Sequence, residues 1–461
     1  PEDPIPLDLK HIHFSVRKNL LDSPFQFTLK GEIPNGGAPT AFQVSGAFDN
    51  FSEKQGFTGI SINGKARVND LNVSNFQPYL KKVLAKTPQD SWLSLDSSFS
   101  GNLGGALKSQ GTLKYSSRMK NERPTFRDAR VPHRGGLEYN ISLDKDSIHI
   151  EELKMDSGPF KFKAKASLTD FLSKEPSVSF DLVTDSFQVN KSFDYLPLKF
   201  FPEEYHALVQ SRFKNGSIKI KSLKFAGSLN QLQELAQEKN RGLISSEFEM
   251  KQVDWQAPLP PLQKVTGTFR VNKGSTTLHI TKARYEKQPI TNVHGSISNI
   301  ITNPVVDLKV ENEVEMDQFH NTLKQAFHGH PILDSLTTYE NFEGTAKVDL
   351  EVKGPLNDFD KLAITGKIGL KEVSLSEKGF EPRLKNLNGN IIYTHTPEAD
   401  KRKDASWIPV IKYENLSGNF SKSSFSSMNG EMGFSNGEPL EKMTATYKLV
   451  SSDLPYVLSN D

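Results

Sequence analysis

The residues able to do chemistry in this chain are few and poorly spaced for it. His11 and His13 stand two apart in a strand-like run, and His320, His328 and His330 gather near the end of a helical stretch in FHGHP. A metal site needs three or four converging ligands braced by partners behind them. Neither group supplies that set, so these are expected to be solvated histidines and no metal is expected. Asp144 and Asp146 flank Lys145 in a run of hairpin character, where paired carboxylates serve the turn. A glycosidase would hold them across a walled cleft. G-x-S-x-G, H-E-x-x-H and P-loop motifs are absent. Cysteine is absent too, which removes disulfides, thiolate metal sites and a thiol nucleophile. The expectation is a protein that is no enzyme and holds no cofactor.

The elements must then position something other than a catalytic group. The 461 residues are 36% hydrophobic with a mean hydropathy of -0.51. That is low for a large sealed core and natural for a sheet with one face in water. A formal net charge of +2 gives no case for a polyanion, and nucleic acid is not an expected partner. No stretch approaches ~18 uninterrupted apolar residues, and PEDPIPLDL has neither the charged nor the apolar region of a leader. A chain that opens in mid-phrase reads as a piece of something longer, with any membrane anchor outside it.

Alternation dominates the rest. TAKVDLEVK places Ala346, Val348, Leu350 and Val352 on one face and Lys347, Asp349 and Glu351 on the other, the two-residue period of a half-buried strand. FKFKAKASL repeats the pattern with Phe160, Phe162, Ala164, Ala166 and Leu168, and ITGKIGL with Ile364, Gly366, Ile368 and Leu370. In SIKIKSLKF the phase slips between Ile218, Ile220 and Leu223, Phe225, which predicts a bulge. NG at 35, 63, 215 and 429, DKD at 144 and NKG at 272 read as hairpin turns. The sheet should therefore be mostly antiparallel.

The strands are grouped by a helix-like segment that returns four times: NVSNFQPYLKKVL (72–84), QVNKSFDYLPLKFF (188–201), VEMDQFHNTLKQAF (314–327) and LVSSDLPYVLSND (449–461). Phe76, Leu80 and Leu84, like Phe319, Leu323 and Phe327, fall at i, i+4 and i+8 and make one apolar stripe. With Phe193 of the second segment, these are candidate plugs that lie across the apolar face of the sheet. Glycine-led phrases begin at Gly136, Gly267 and Gly389 and preserve their order. The repeat divides the chain at 1–90, 91–210, 211–330 and 331–461, the last unit truncated, as one continuous elongated sheet rather than independent domains.

Three phrases, GKIGLKEVSLSEKGFEPRLKNLNGNIIY, GKARVNDLNVSNFQPYL and WLSLDSSFSGNLGGALKSQGTL, resemble the AsmA-like superfamily of diderm bacteria. The resemblance implies a mainly β fold: a long, curved, antiparallel repeat sheet, taco-like in section, with a hydrophobic groove and a few short amphipathic helices. It also implies a periplasmic segment of an inner-membrane-anchored protein, carrying phospholipid towards the outer membrane. Partners implied are phospholipid or another acyl lipid, the inner membrane through an anchor outside this chain, and outer-membrane components. A scaffold for outer-membrane protein assembly, the role linked to one branch of the superfamily, is the alternative; a repeat adhesin is a more distant one.

Elementary physics points the same way. A sheet apolar on one face must cover it with a second layer, its own curvature or a ligand. An acyl chain recovers about 0.8 kcal/mol per buried methylene, so ~15 methylenes gain on the order of 12 kcal/mol without a polar contact. Besides Phe160, Phe162, Ile218, Ile220, Val348, Leu350, Val352, Ile368 and Leu370, the candidate lining comprises Val68, Leu95, Ile141, Ile148, Ile150, Phe180, Leu182, Phe269, Leu278, Ile280 and Leu308. Any one of them reads equally as ordinary core, and only the pattern as a whole marks a groove. The basic run RMKNERPTFRDARVPHR (118–134) and KRK at 401–403 read as solvated loops that would also suit lipid phosphates.

Overall fold

A computed structural model describes residues 9–18, 24–34, 39–49, 56–72, 91–117, 134–158, 160–192, 213–235, 237–256, 261–285, 288–299, 303–326, 338–355, 358, 361–378, 380–395, 408–435 and 438–454. The chain divides into two compact units, Pro1–Glu249 and Met250–Asp461. The first holds β1 (Lys10–Arg17), β2 (Phe25–Ile33), β3 (Thr40–Asp49), β4 (Ser61–Asn72), β5 (Ser91–Asn102), β6 (Leu107–Ser117), β7 (Arg134–Leu143), β8 (Ser147–Asp156), β9 (Lys161–Thr169), β10 (Ser177–Thr184), β11 (Phe187–Gln188) and β12 (Ser217–Ser228). β13 (Ile244–Trp255) contains the boundary. The second unit continues with β14 (Leu262–Asn272), β15 (Ser275–Tyr285), β16 (Gln288–Ser298), β17 (Val305–Glu315), β18 (Tyr339–Pro355), β19 (Ala363–Glu377), β20 (Phe380–His395), β21 (Ile408–Phe420), β22 (Ser423–Ser435) and β23 (Glu438–Lys448). Short helices are α1 (Val189–Ser192), α2 (Leu229–Gln233) and α3 (Met316–Ala326). All 23 strands belong to one antiparallel sheet, the mainly β fold that the alternation implies.

Most strands pair with their neighbours in sequence; at β10 to β12 both β10 and β11 pair with β12. DKD at 144 closes the β7–β8 hairpin, where Asp144 Oδ1 accepts the Lys145 amide at 2.9 Å, and Asn272 to Ser275 closes β14–β15. Two of the predicted turns are not turns. Asn63 and Gly64 lie inside β4, and Asn429 and Gly430 inside β22. A Cβ on Gly64 would sit 2.6 Å from the ring of Phe99 on β5, so this glycine makes room for a neighbour's ring. At Gly430 a Cβ would meet the Lys442 carbonyl at 2.6 Å, so there it lets β23 approach.

Asn429 serves a different device. Where the period-two pattern slips, the extra residue adopts a left-handed conformation: Asp70, Gln252, Lys264, Glu372 and Asn415 have φ between 51 and 55°. Each donates its amide to a side-chain acceptor on a neighbouring strand: Ser94, Thr266, Asp254, Asn388 and Asn429, at 3.0 to 3.2 Å. These bulges bring the apolar residues back into phase, as Leu370 to Val373 in β19 and Tyr413 to Leu416 in β21 require, and they add local twist and bend. The slip in SIKIKSLKF has a related cause. Leu223 and Phe225 of β12 pair with β10, whereas Ile218 pairs with β11, and between them the Ile220 amide donates to Thr184 Oγ1 at 2.9 Å.

In Met250–Asp461 a buried cluster forms on the apolar face from Val314, Met316, Ala346, Val348, Val373, Leu387, Leu416, Phe420 and Phe425. Phe319 of α3 packs against it, and the buried His320 ring lies over Phe342 at 4.2 Å. Of the third helical segment, Phe319 is thus placed against the buried cluster. Leu323 belongs to the same helix, whereas Phe76, Leu80, Leu84, Phe193 and Phe327 lie outside the described residues. A second fastening uses Asp453, only 2% exposed, whose carboxylate accepts from Ser423 Oγ at 2.8 Å and the Lys422 amide at 2.9 Å.

Candidate functional site

The apolar face is built row by row across strands, because residues directly opposite one another in an antiparallel ladder point the same way. In Pro1–Glu249 one row runs Val68, Leu95, Leu113, Leu137, Met155, Phe162 through β4 to β9, with every member opposite the next. Another runs Ile141, Ile150, Ala166, Phe180, Phe225, and flanking positions carry Ile148 opposite Leu143 and Leu182 opposite Ala164. Phe160 packs edge-on against Phe187, which is opposite Ile218. In Met250–Asp461 the rows are Phe269, Leu278, Gly295, Leu308, Val352, Ile364 and, beside it, Asn312, Val348, Ile368, Ile391, Tyr413. Leu350 lies opposite both Val310 and Gly366, Leu370 opposite both Ala346 and Gly389, and Ile280 opposite Val293. All the candidate lining residues are half-buried or buried, and none is exposed.

The opposite face is charged. Lys309 meets Glu311 at 3.0 Å and Asp349 at 3.7 Å, Lys353 meets Asp307 at 3.7 Å, and Lys154 meets Glu152 at 2.8 Å. Hydrogen bonds to these lysines hold Glu311 and Glu152 below the usual carboxylate range. On the apolar face burial pushes the Tyr393 phenol above its ordinary value, so it stays neutral. A cleft of about 670 Å³ crosses β2 to β7, walled by Thr28, Ser45, Lys65, Ser98 and Gln110 of one row and Gln26, Asn63, Ser100 and Lys108 of the next. It is a furrow on the polar face. The greasy side is a surface made of rows.

The histidines singled out in the sequence do not converge among the described residues. His11 sits at φ 47° in a bulge that breaks its alternation with His13, and its Nδ1 meets Glu32 at 2.7 Å. His320 is buried against Phe342, while His328 and His330 lie outside the described residues, as do the basic runs 118–133 and 401–403. No group of three or more histidine, aspartate or glutamate side chains suited to a metal ion occurs among the described residues.

With this geometry, comparison with known proteins becomes informative. The family described as YhdP protein matches residues 95–398, more than half of the chain. The chain belongs to the YhdP family. That is an AsmA-like family of bridge-type lipid transport proteins of the bacterial envelope. No curated protein and no solved structure matches the chain. Among the described residues, no helix is long and apolar enough to cross a membrane.

Sequence reasoning missed part of this face. Leu113, Leu137 and Met155 complete its longest row, yet β6 reads LKSQGTLKYSS, where serine and glycine dilute the alternation. Those polar positions, Ser109 and Gly111, lie on the apolar face together with Ser97 and Tyr139.

Proposed function

We propose that this chain is a periplasmic segment of a lipid bridge, whose apolar face carries the acyl chains of phospholipids between inner and outer membrane. One observation carries the reading: the half-buried row from Val68 to Phe162 crosses six strands without a charged member. A uniform lining of this kind holds an alkyl chain by about 0.8 kcal/mol per methylene and gives it no fixed stopping place. The polar face keeps the sheet in water. The work is carriage, with no covalent step and no cofactor.

The scaffold alternative would need a long edge free to add a client strand. β1 pairs only with β2 and β23 only with β22 among the described residues, and both carry cations that discourage strand addition: Lys10 and Arg17 in β1, Lys442 and Lys448 in β23. Native mass spectrometry of the purified chain, with photocrosslinking from position 162, tests the lipid reading. Co-purifying phospholipid that labels at 162 is expected. A lipid-free chain that stays unlabelled when offered phospholipid vesicles would sink it.

A further inference from the structure

The apolar face of Pro1–Glu249 carries a three-membered polar island at its middle strands. Tyr139 donates to Ser97 Oγ at 2.7 Å, and Ser97 Oγ lies 3.0 Å from Ser109 Oγ. The three come from β7, β5 and β6, and Gly111 sits between Ser97 and Tyr139 in the same row. A Cβ on Gly111 would lie 3.0 Å from the Tyr139 hydroxyl and 2.4 Å from the Asp96 carbonyl, so the missing side chain lets the phenol reach across. Apolar rows flank the island: Leu95, Leu113 and Leu137 on one side, Ile141 and Ile150 on the other.

The hydroxyls do not satisfy one another completely. Three O–H groups in a chain provide two mutual bonds: if Ser109 donates to Ser97, the Ser97 proton turns to the Gln110 carbonyl at 3.4 Å, and if Ser97 donates to Ser109, the Ser109 proton is left to point off the face. Ser97 is 6% exposed and bonded within the chain, whereas Ser109 is half-buried, so its hydroxyl is the one a ligand on this face can reach, and a donor given an acceptor there is stabilised. The ligand that fits presents a neutral acceptor between long apolar chains. A free fatty acid would bring a full charge, and the described neighbours of the island on this face, Leu95, Leu113, Leu137, Ile141 and Ile150, offer no cation to answer it; an ester carbonyl brings none.

We propose that Ser97, Ser109 and Tyr139 form a docking point for the ester carbonyl of a diacyl lipid lying on this face, a discrete station on an otherwise uniform path. The inference rests on the lipid-carrier reading. The test offers the purified chain equal amounts of dioleoyl phosphatidylcholine and its diether analogue, which share headgroup and chains and differ only in the carbonyls, and counts bound species by native mass spectrometry.

One added hydrogen bond should favour the diester about five-fold. Tyr139→Phe should reduce that preference. The combined Ser97→Ala, Ser109→Ala, Tyr139→Phe variant should bind both lipids equally, with an unchanged melting profile showing that it folds. Equal uptake of the two lipids by the unaltered chain, or a preference that survives the triple substitution, overturns the docking point and leaves the carrier reading intact. Uptake of neither lipid overturns both.

Discussion

The apolar faces of the two units follow one sequence rule and are packed differently. In Pro1–Glu249, Val68, Leu95, Ile141, Ile150 and Phe162 are half-buried, whereas Phe160, Phe187 and Ile218, which gather at β11, are buried. In Met250–Asp461, Phe269, Leu278, Ile280 and Val348 are buried, and Val373 is 0% exposed. Part of the difference is local: Val348 and Val373, on the long bulged strands β18 and β19 of 17 and 15 residues, join a buried cluster against which Phe319 of α3 packs. β4 and β5 have 12 residues each, and their row stays accessible. Alternation therefore makes a greasy face, and what packs onto each part of it decides how far that part is buried.

The sharpest way to break that contrast is to place a charge on each face. Val373→Asp should unfold Met250–Asp461, since a buried unpaired carboxylate costs on the order of 4 kcal/mol or more. Leu95→Asp should cost under about 2 kcal/mol, because its carboxylate can reach water, while abolishing lipid labelling from position 162. Equal losses in thermal melts would show the two faces to be packed alike.

Removing the cover is a milder test. Phe319→Ala should lower stability by about 2 kcal/mol and raise uptake of an apolar dye by Met250–Asp461, whereas a dye signal unchanged from the parent would mean that α3 covers nothing. Glycines separate the faces more finely. Gly64→Val should destabilise by about 2 kcal/mol through the Phe99 ring. At Gly136 an added Cβ meets nothing within 4 Å, so Gly136→Val should be near neutral in the same denaturation assay.

The smallest effect is one of pH. Burial alone would raise the Asp453 pKa, but hydrogen bonds from Ser423, the Lys422 amide, Ser421 and Ser452 outweigh it and hold the carboxyl below its ordinary value. A depressed carboxylate contributes stability above its unfolded pKa, near 4, and loses it as pH falls through the folded value. Protection of the Lys422 and Val450 amides against exchange, relative to the intrinsic rate at each pH, should therefore fall in acid below about pH 4, since these N–H groups bond to Asp453 and to Ser423. In Asp453→Asn that acid dependence should vanish.

Much of the fold and most of the candidate face were legible in the sequence, for a reason seen in TAKVDLEVK. Successive side chains of an extended backbone point to opposite sides whatever the strand pairs with, so Val348 and Leu350 were bound to share a face. The same local rule failed at Asn63–Gly64 and Asn429–Gly430, where glycine answers a neighbouring strand rather than a turn. What the chain alone determined, then, was two faces, one greasy and one charged, because alternation belongs to the backbone. Only the tertiary structure decided which greasy residues are buried, and only register across three strands brought Ser97, Ser109 and Tyr139 into one chain of hydroxyls. Those outcomes depend on pairing and bulges between segments that carry no mark of one another in the sequence.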